Sequence, residues 1–292
     1  MRKFSISDIE GLIGIKAHTI RVWELRYNLV PAKRTATNIR FYSEEDLRTL
    51  LNIVALNENG YKISKIARME SKAIANLVQQ LKSDLSKDSL QIMTLCKATI
   101  AYQELEFKKV LNGCISEIGL VKTMELVVFP FMKKLGLLWQ TGAVDPAHEH
   151  FASNLIRERI IIEINKVGQP PILKTKKFLL FLPEAEMHEN GLLFAKYLVK
   201  SRGHESLYLG LETPYSDLKK VADSYRPDFA FTVLTSLNLG KNINKIIGKV
   251  MDHLNVPLLV TGSLISEFDV LVQDRLTPLK NVRDMTDFLE YL

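Results

Sequence analysis

The sequence lacks several features that would assign it to common classes of protein. No segment runs for about 18 apolar residues, the length that a membrane-spanning helix needs. The first residues, MRKFSISDIE, lack the apolar stretch of a secretion signal. The two cysteines, Cys96 and Cys114, do not form a CxxC pair that would bind zinc or carry out redox chemistry. These absences predict a globular cytoplasmic protein in which both cysteines are buried free thiols.

The positive charge of the chain is concentrated at its N-terminal end. The net charge of the 292 residues is +6, and residues 1–40 alone hold eight Lys or Arg residues against three acidic residues. The rest of the chain is therefore close to neutral. Such an uneven distribution is typical of a protein that binds a polyanion.

The same basic segment has the pattern of a DNA-binding unit. SISDIEGLIG predicts a capped helix that ends at Gly14, and KAHTIRVWELRYNLV predicts a second helix with Ile20 and Trp23 on one side. Two helices joined by a short turn form a helix-turn-helix, whose second helix normally enters the major groove. The basic stretch up to Tyr42 predicts a β-ribbon wing, and SEEDL predicts a third helix capped by Ser43.

About 65 residues, from ISDIEGLIG to YKISKIAR, resemble the DNA-binding domain of MerR-family transcription regulators. The resemblance rests on TIRVWELRY, NIRFYSEEDL and GYKISKIA. It implies DNA contacts from the second helix and from the wing, namely Thr19, Arg21, Arg26 and Tyr27, and Arg34, Asn38, Arg40 and Tyr42. From the residues alone, each arginine could bind a guanine or a phosphate, or remain a solvated charge. Trp23 is more often a core residue than a base-reading one.

Composition and hydrophobic period divide the chain into three predicted domains. Residues 1–76 form the winged helix-turn-helix. Residues 77–170 show helix-spaced apolar positions over several segments, which predicts a helical bundle. Residues 171–292 alternate short apolar runs (FLLFLP, ESLYLG, DFAFTVLT, PLLVTG) with amphipathic helices, which predicts a Rossmann-like, flavodoxin-like parallel sheet with helices on both faces. The predicted fold class is therefore multidomain α and α/β.

His188 follows the first predicted strand of the last domain, where open α/β sheets bind ligands. No GxGxxG follows that strand, which argues against the usual kind of dinucleotide site. From the residues alone, His188 is a surface or core histidine, an acid-base group, or a metal ligand whose other ring nitrogen bonds Glu186. One histidine cannot hold a zinc ion, but it can supply one axial ligand to a metal that a macrocycle already holds.

The stretch EMHENG resembles the ExHxxG motif of cobalamin-binding domains, and it comprises Glu186, His188 and Gly191. The resemblance implies that His188 is the lower axial ligand of the cobalt. The motif also stands in the expected context, between a predicted strand and a predicted helix.

A second resemblance lies upstream, in WQTGAVDPAHEH. Trp139 followed by Glu149 and His150 is similar to the W-x9-EH signature of light-responsive, adenosylcobalamin-dependent MerR-family repressors. There the three residues cover the upper face of the corrin, where the adenosyl group lies. The resemblance implies that His150 takes the vacated cobalt position once light breaks the cobalt–carbon bond. The alternative for Trp139 is a place in the bundle core.

Two elements depart from the cobalamin pattern. The expected serine before a Leu or Val appears as threonine, either in Thr232-x-Leu234 or in Thr235-x-Leu237, and threonine keeps the hydroxyl. The expected Gly-Gly appears as Thr261-Gly262, where a Cβ is expected to crowd the nucleotide tail of the ligand. Thr235 and Gly262 are the residues expected to line the site. The other histidines are expected at the surface: His148, His204 and His253, with His18 at most touching phosphate.

These observations predict a DNA-binding transcription regulator, a repressor, that binds adenosylcobalamin (a vitamin B12 derivative) and responds to light through its oligomeric state. Its expected partners are double-stranded promoter DNA and further copies of the chain, as a dimer or tetramer. No membrane and no enzyme activity are expected, and the protein is expected at the bacterial nucleoid. Two alternatives remain: a ligand-independent MerR-type regulator with a vestigial cobalamin domain, and a cobalamin-dependent enzyme component.

Overall fold

The computed structural model describes residues 4–35, 38–58, 60–81, 87–140, 144–168, 175–236, 243–268, 270–271 and 274–292. The chain divides into two compact units, Met1–Ala152 and Ser153–Leu292. In the described residues, no helix is long and apolar enough to cross a membrane. The predicted domain boundary at residue 76 remains a prediction, and the one at residue 170 lies outside the described residues.

The described part of the first unit consists of helices and one two-stranded ribbon. Its elements are α1 (Ile6–Ile13), α2 (Ala17–Tyr27), β1 (Lys33–Arg34), β2 (Arg40–Phe41), α3 (Glu44–Glu58), α4 (Ile63–Ile66), α5 (Ser71–Leu81), α6 (Lys87–Ile100), α7 (Glu104–Thr123), a π-helical turn (Met124–Val128), α8 (Phe129–Gln140) and the beginning of α9 (Pro146–Lys166), which belongs to the second unit from Ser153 onward. The helical character predicted for this part of the chain is confirmed.

Local side-chain hydrogen bonds begin the helices of the DNA-binding region. The Ser5 hydroxyl accepts the N–H of Asp8, and the Asp8 carboxylate accepts the N–H of Ser5, which makes a capping box at the start of α1. Ser43 and Asp46 form the same reciprocal pair at the start of α3. The predicted cap at Ser43 is thus confirmed. Gly14 ends α1 in the left-handed conformation.

Apolar side chains from α1, α2, α3 and α5 form one core in this region. Ile9, Ile20 and Ile53 are at most 1% exposed, and Trp23 is 6% exposed. Trp23 is therefore a core residue, as its position beside Ile20 indicated. The core fixes which side of α2 faces outward.

The second unit contains the α/β domain. After the end of α9, its elements are β3 (Lys177–Pro183), α10 (Glu189–Ser201), β4 (Glu205–Thr213), α11 (Tyr215–Tyr225), β5 (Phe229–Val233), α12 (Ile243–His253), β6 (Leu258–Thr261), α13 (Ser263–Glu267), β7 (Leu276–Pro278) and α14 (Val282–Glu290). The strands are parallel and their order is β4-β3-β5-β6-β7. This confirms the predicted parallel, flavodoxin-like sheet, to which β7 and α14 add elements that were not predicted.

The strand order creates a natural place for a ligand. The chain passes from β3 outward to β4 and then returns to the other side of β3 as β5. The connections after β3 and β5 therefore leave the sheet in opposite directions, and open α/β sheets have their ligand crevice at such a point, outside the carboxyl ends of the two strands. His188 lies in the segment that follows β3, at this point of the fold.

Candidate functional site

A buried carboxylate joins the two segments at the carboxyl ends of β3 and β5. Glu186 has no exposed surface. Its oxygens accept hydrogen bonds from the backbone N–H groups of His188 (3.0 Å), Thr235 (2.6 Å) and Ser236 (2.8 Å). The hydroxyls of Thr235 and Ser236 donate to it as well, at 3.1 and 3.0 Å. Glu186 thus holds the segment after β3 against the segment after β5.

The Glu186 carboxylate is ionised although it is buried. Burial raises the pKa of this group, but hydrogen bonds from the His188 ring and from the N–H groups of Thr235, Ser236 and His188 together outweigh burial and lower the pKa to about 2. An ionised carboxylate can accept hydrogen bonds but cannot donate them. This fixes the direction of every hydrogen bond that Glu186 makes.

The ring of His188 is oriented by this carboxylate. Its Nδ1 lies 2.7 Å from Oε1 of Glu186. Because the carboxylate only accepts, Nδ1 carries the proton, and Nε2 of the neutral ring keeps the lone pair. The His188 side chain is 52% exposed, so the ring extends out of the cluster. The predicted Glu186–His188 hydrogen bond is present, and Nε2 is the nitrogen suited to bind a metal.

Ser236 belongs to the same cluster and was not predicted. Its hydroxyl lies 3.0 Å from the Glu186 carboxylate and 3.3 Å from Nδ1 of His188. The only sequence signal is the dipeptide Thr235-Ser236 after a predicted strand. Of the two threonines considered for the serine position, Thr235 lies in the cluster, whereas Thr232 is buried in β5. Leu237 lies outside the described residues.

Two glycines are required by close packing around the crevice. A Cβ on Gly191, in the first turn of α10, would lie 2.9 Å from a methyl carbon of Val233. A Cβ on Gly262 would lie 2.2 Å from the carbonyl oxygen of Leu234, and its φ of +117° is open only to glycine. Both positions therefore bring backbone segments together at the carboxyl edge of the sheet.

Thr261 is buried at the carboxyl end of β6. Its side chain is 7% exposed, and its hydroxyl donates to the carbonyl oxygen of Leu279 at 2.6 Å. The extra atoms of threonine are thus part of the interior beside the segment after β7. The expectation that its Cβ crowds the nucleotide tail of the ligand stays a prediction.

A second network holds the first turn of α10. The Glu189 carboxylate accepts from Nε of Arg157 at 2.5 Å and from the Tyr208 hydroxyl at 3.0 Å. Burial and the negative charge of Glu189 raise the pKa of Tyr208. The hydrogen bond and the charge of Glu189 also raise the pKa of Arg157. Glu189, the residue next to His188, is therefore held by the Arg157 guanidinium and by the Tyr208 hydroxyl.

His188 is not part of a protein-only metal cluster among the described residues, where no group of three or more His, Cys, Asp or Glu side chains is placed to hold an ion. A metal at Nε2 would have to bring most of its own ligands. The arrangement fits a metal already held in a macrocycle.

The residues of the W-x9-EH signature lie in the first unit. Trp139 is on α8 and is 53% exposed, which is not the burial of a bundle-core tryptophan. Glu149 and His150 are in the first turns of α9, where Glu149 is partly buried and His150 is exposed. All three side chains thus have surface with which to contact a ligand.

Two of the histidines expected at the surface are buried. His148 is 2% exposed, its ring stacks on Tyr102 at 4.5 Å, and its Nδ1 accepts the N–H of Asp145. His204 is 9% exposed and lies against the ring of Phe178. Burial lowers the pKa of His204. The surface prediction was wrong for both because aromatic partners distant in the sequence cover them.

The basic face of the first unit is formed by α2. Arg21 and Arg26 are exposed, whereas Thr19 and Tyr27 are partly buried. Since Ile20 and Trp23 point into the core, the arginines lie on the outer part of the helix. This is the arrangement that a recognition helix needs, and α2 is called the recognition helix below.

The wing is tied to the recognition helix by Glu24. One carboxylate oxygen accepts the N–H of Ala32 at 3.2 Å, and the other lies 3.8 Å from Nε of Arg40. Arg40 is thus partly engaged within the domain. At the exposed end of the wing, the Arg34 guanidinium donates to the Asn38 side chain at 2.8 Å, and both residues are exposed.

The predicted DNA contact of Tyr42 is wrong. Its side chain has no exposed surface, and its backbone exchanges two hydrogen bonds of 2.8 Å with Phe4. A side chain without accessible surface cannot contact DNA. Tyr42 therefore stabilises the core beneath the wing.

Family models match the DNA-binding region and the helical region that follows it. The family model "MerR HTH family regulatory protein" matches residues 4–73, and the model "B12 binding domain" matches residues 91–162. The chain thus combines a MerR-type DNA-binding domain with a B12-binding domain. The first match contains all of the predicted DNA contacts, and the second contains Trp139, Glu149 and His150.

Two curated relatives come from Myxococcus xanthus. The HTH-type transcriptional repressor CarH is 26% identical over 234 residues, which are 78% of this chain and 77% of CarH. The HTH-type transcriptional repressor CarA is 24% identical over 228 residues, which are 76% of this chain and 73% of CarA. By its two matched domains, the chain is a cobalamin-binding transcriptional regulator.

Among solved structures, similar chains come from corrinoid proteins. The Methanosarcina barkeri monomethylamine corrinoid protein has a TM-score of 0.48 and 11% identity, covering 70% of this chain and 97% of that chain. The methanol:cobalamin methyltransferase complex of the same organism has a TM-score of 0.33 and 14% identity, covering 81% of this chain and 91% of that chain.

Proposed function

We propose that the protein is a DNA-binding transcriptional repressor that binds adenosylcobalamin and loses or gains operator affinity with the state of that cofactor. The observation that carries the proposal is the His188 ring, whose Nδ1 is held by an ionised, fully buried Glu186. In the neutral ring this arrangement places the lone pair on Nε2, at the carboxyl edge of a parallel sheet. The similarity to CarH and CarA, both named as transcriptional repressors, supports the regulatory role.

The residues after β3 and β5 fit a corrin-held cobalt. Adenosylcobalamin supplies a cobalt–carbon bond that visible light breaks. His188 would offer a ring nitrogen to the cobalt, and its hydrogen bond to Glu186 orients the ring and places the proton of the neutral ring on Nδ1. Thr235 and Ser236 hold Glu186 in turn, so the ligand atom is positioned by two segments of the chain. Gly262 and Gly191 keep the backbone at this edge tightly packed.

Trp139, Glu149 and His150 are proposed to contact the adenosyl side of the cofactor. Trp139 presents a flat apolar ring with more than half of its surface exposed. Glu149 accepts hydrogen bonds from hydroxyl or amino groups of a nucleoside. His150 is exposed on the same turn of α9, and its imidazole would be a second candidate ligand for the cobalt.

The regulation is proposed to act through assembly of several copies of the chain. One DNA-binding domain has a small contact surface, and several domains joined in an oligomer bind adjacent half-sites with a high effective concentration. Cofactor binding is proposed to favour the dimer or tetramer, and light to weaken it. No catalytic role is proposed, because a DNA-binding domain has no use in a methyl-transfer component.

The cofactor part of the proposal is tested by visible absorption. The full chain is incubated in the dark with adenosylcobalamin, desalted, and its spectrum is recorded before and after green light. His188→Ala and, as a matched histidine control, His253→Ala are treated in the same way. We expect corrin absorbance that light changes in the wild type and in His253→Ala, with a different dark or light spectrum in His188→Ala. A wild-type protein that is colourless after desalting would refute cofactor binding.

A further inference from the structure

Leu25 is an exposed apolar residue at the centre of the outer face of the recognition helix. Its side chain is 89% exposed. Successive residues of a helix are about 100° apart, so Leu25 lies about 140° from Ile20 and about 160° from Trp23, the two buried residues. Leu25 therefore points away from the domain core. On a recognition helix this is the direction of the major groove.

The surroundings of Leu25 on this face are cationic. Arg21 is one helical turn before Leu25 and Arg26 directly follows it, and both are exposed. The acidic residue of the helix, Glu24, is turned toward the wing, where it accepts the N–H of Ala32 and lies near Arg40. The face thus presents one bulky apolar side chain flanked by two guanidinium groups.

This combination fits the major groove of DNA. The phosphates on both sides of the groove carry negative charge, and arginine also bonds to guanine edges on its floor. The groove floor presents an apolar group as well, the C5-methyl group of thymine, which apolar side chains contact. A second copy of the same face is a poor partner, because it would bring like charges together.

We propose that Leu25 contacts a thymine methyl group in the major groove and thereby sets the base preference of the protein at that position of each half-site. The proposal rests on the proposed DNA-binding function and adds a sequence-determining residue to it. The flanking arginines position the helix, and Leu25 discriminates thymine from bases without a methyl group at this place.

The size of the effect follows from the contact. Burial of one methyl-sized group stabilises a complex by an amount that corresponds to about fourfold in affinity. Each contacted thymine in the operator is therefore expected to contribute about this factor. Removing either the methyl group or the leucine side chain should lower the affinity by this factor. Removing both should lower it by the same factor and not by its square.

The experiment uses the full chain and a duplex selected by it from a random-sequence pool. Dissociation constants are measured for this duplex and for versions in which single thymines are replaced by deoxyuridine, which lacks only the methyl group. The proteins are the wild type, Leu25→Ala and Leu105→Ala. Leu105 is an 86% exposed leucine on α7, so its variant controls for loss of a surface leucine.

We expect at least one thymine whose replacement weakens the wild type and Leu105→Ala about fourfold and leaves Leu25→Ala almost unchanged. Equal losses for wild type and Leu25→Ala at every thymine would overturn the inference while DNA binding stands. Failure of the pool to yield any duplex would overturn DNA binding, and the inference with it. Leu25→Ala should fold normally, because the leucine is exposed and alanine favours helix.

Discussion

Replacement of Glu186 by glutamine should loosen the α/β domain selectively. One carboxylate oxygen accepts the N–H groups of Thr235 and Ser236, and the other accepts the N–H and the ring Nδ1 of His188. The amide NH2 of glutamine must replace one of these oxygens. An NH2 group donates hydrogen bonds and cannot accept them, so the N–H groups that donated to that oxygen lose their acceptor. Two buried N–H groups without an acceptor cost roughly 1–3 kcal/mol each, so we expect a loss of roughly 2–6 kcal/mol.

Hydrogen exchange measured by mass spectrometry tests this prediction within one chain. Even the lower limit, about 2 kcal/mol, should accelerate exchange of the β3 and β5 amides by about 30-fold at neutral pH. Both tryptophans, Trp23 and Trp139, lie in the first unit, so tryptophan fluorescence should report unchanged unfolding there. Glu290→Gln is the control, since Glu290 forms only a surface pair with Arg202. If amide exchange in β3 and β5 is accelerated less than about threefold, the hydrogen bonds of Glu186 do not stabilise the domain as predicted.

The same carboxylate gives the α/β domain a dependence on pH. The pKa of Glu186 is about 2 in the folded protein and 4.5 for the free side chain, so ionisation favours folding. This contribution is complete above about pH 4.5 and is lost as the pH falls toward about 2. The shift corresponds to about 3 kcal/mol. Glu186→Gln should lose less stability than the wild type over that range, measured by urea denaturation with circular dichroism.

Further variants test packing and DNA contacts. Gly262→Ala should destabilise the α/β domain by about 2 kcal/mol or more, because its Cβ would collide with the backbone. Gly248→Ala in α12 is the control and should leave the stability unchanged or raise it. Thermal denaturation of the two variants measures the difference. His148→Ala should lower the stability of the first unit by about 1–2 kcal/mol through loss of its stacked, buried ring, read by tryptophan fluorescence. Arg21→Ala should weaken DNA binding and reduce the salt slope of log K by about 1, and Tyr42→Phe should leave both unchanged.

The elements with a strong local pattern could be predicted from the sequence. The caps at Ser5 and Ser43, the core position of Trp23 and the alternation of strands and helices all depend on residues near in the chain. β7 was missed because it has three residues, one of them proline, and is a strand only by pairing with β6. A pattern that short carries no period.

The cluster around His188 could be predicted only in part. The Glu186–His188 bond joins residues two positions apart, and the motif indicated it. The bonds from Glu186 to Thr235 and Ser236 join residues 49 and 50 positions apart, and only the parallel pairing of β3 with β5 brings them together. Likewise, Tyr42 is buried through Phe4, and His148 through Tyr102, which no local pattern reveals.

The proposed function requires that the state of the cofactor controls DNA binding by the same chain. The most direct test measures the affinity of the full chain for a duplex selected by it, without cofactor, with adenosylcobalamin in the dark, and after green light. We expect different affinities in the dark and after light, with the difference lost in His188→Ala and kept in His253→Ala. Equal affinities in all three conditions, with a corrin spectrum present, would contradict it.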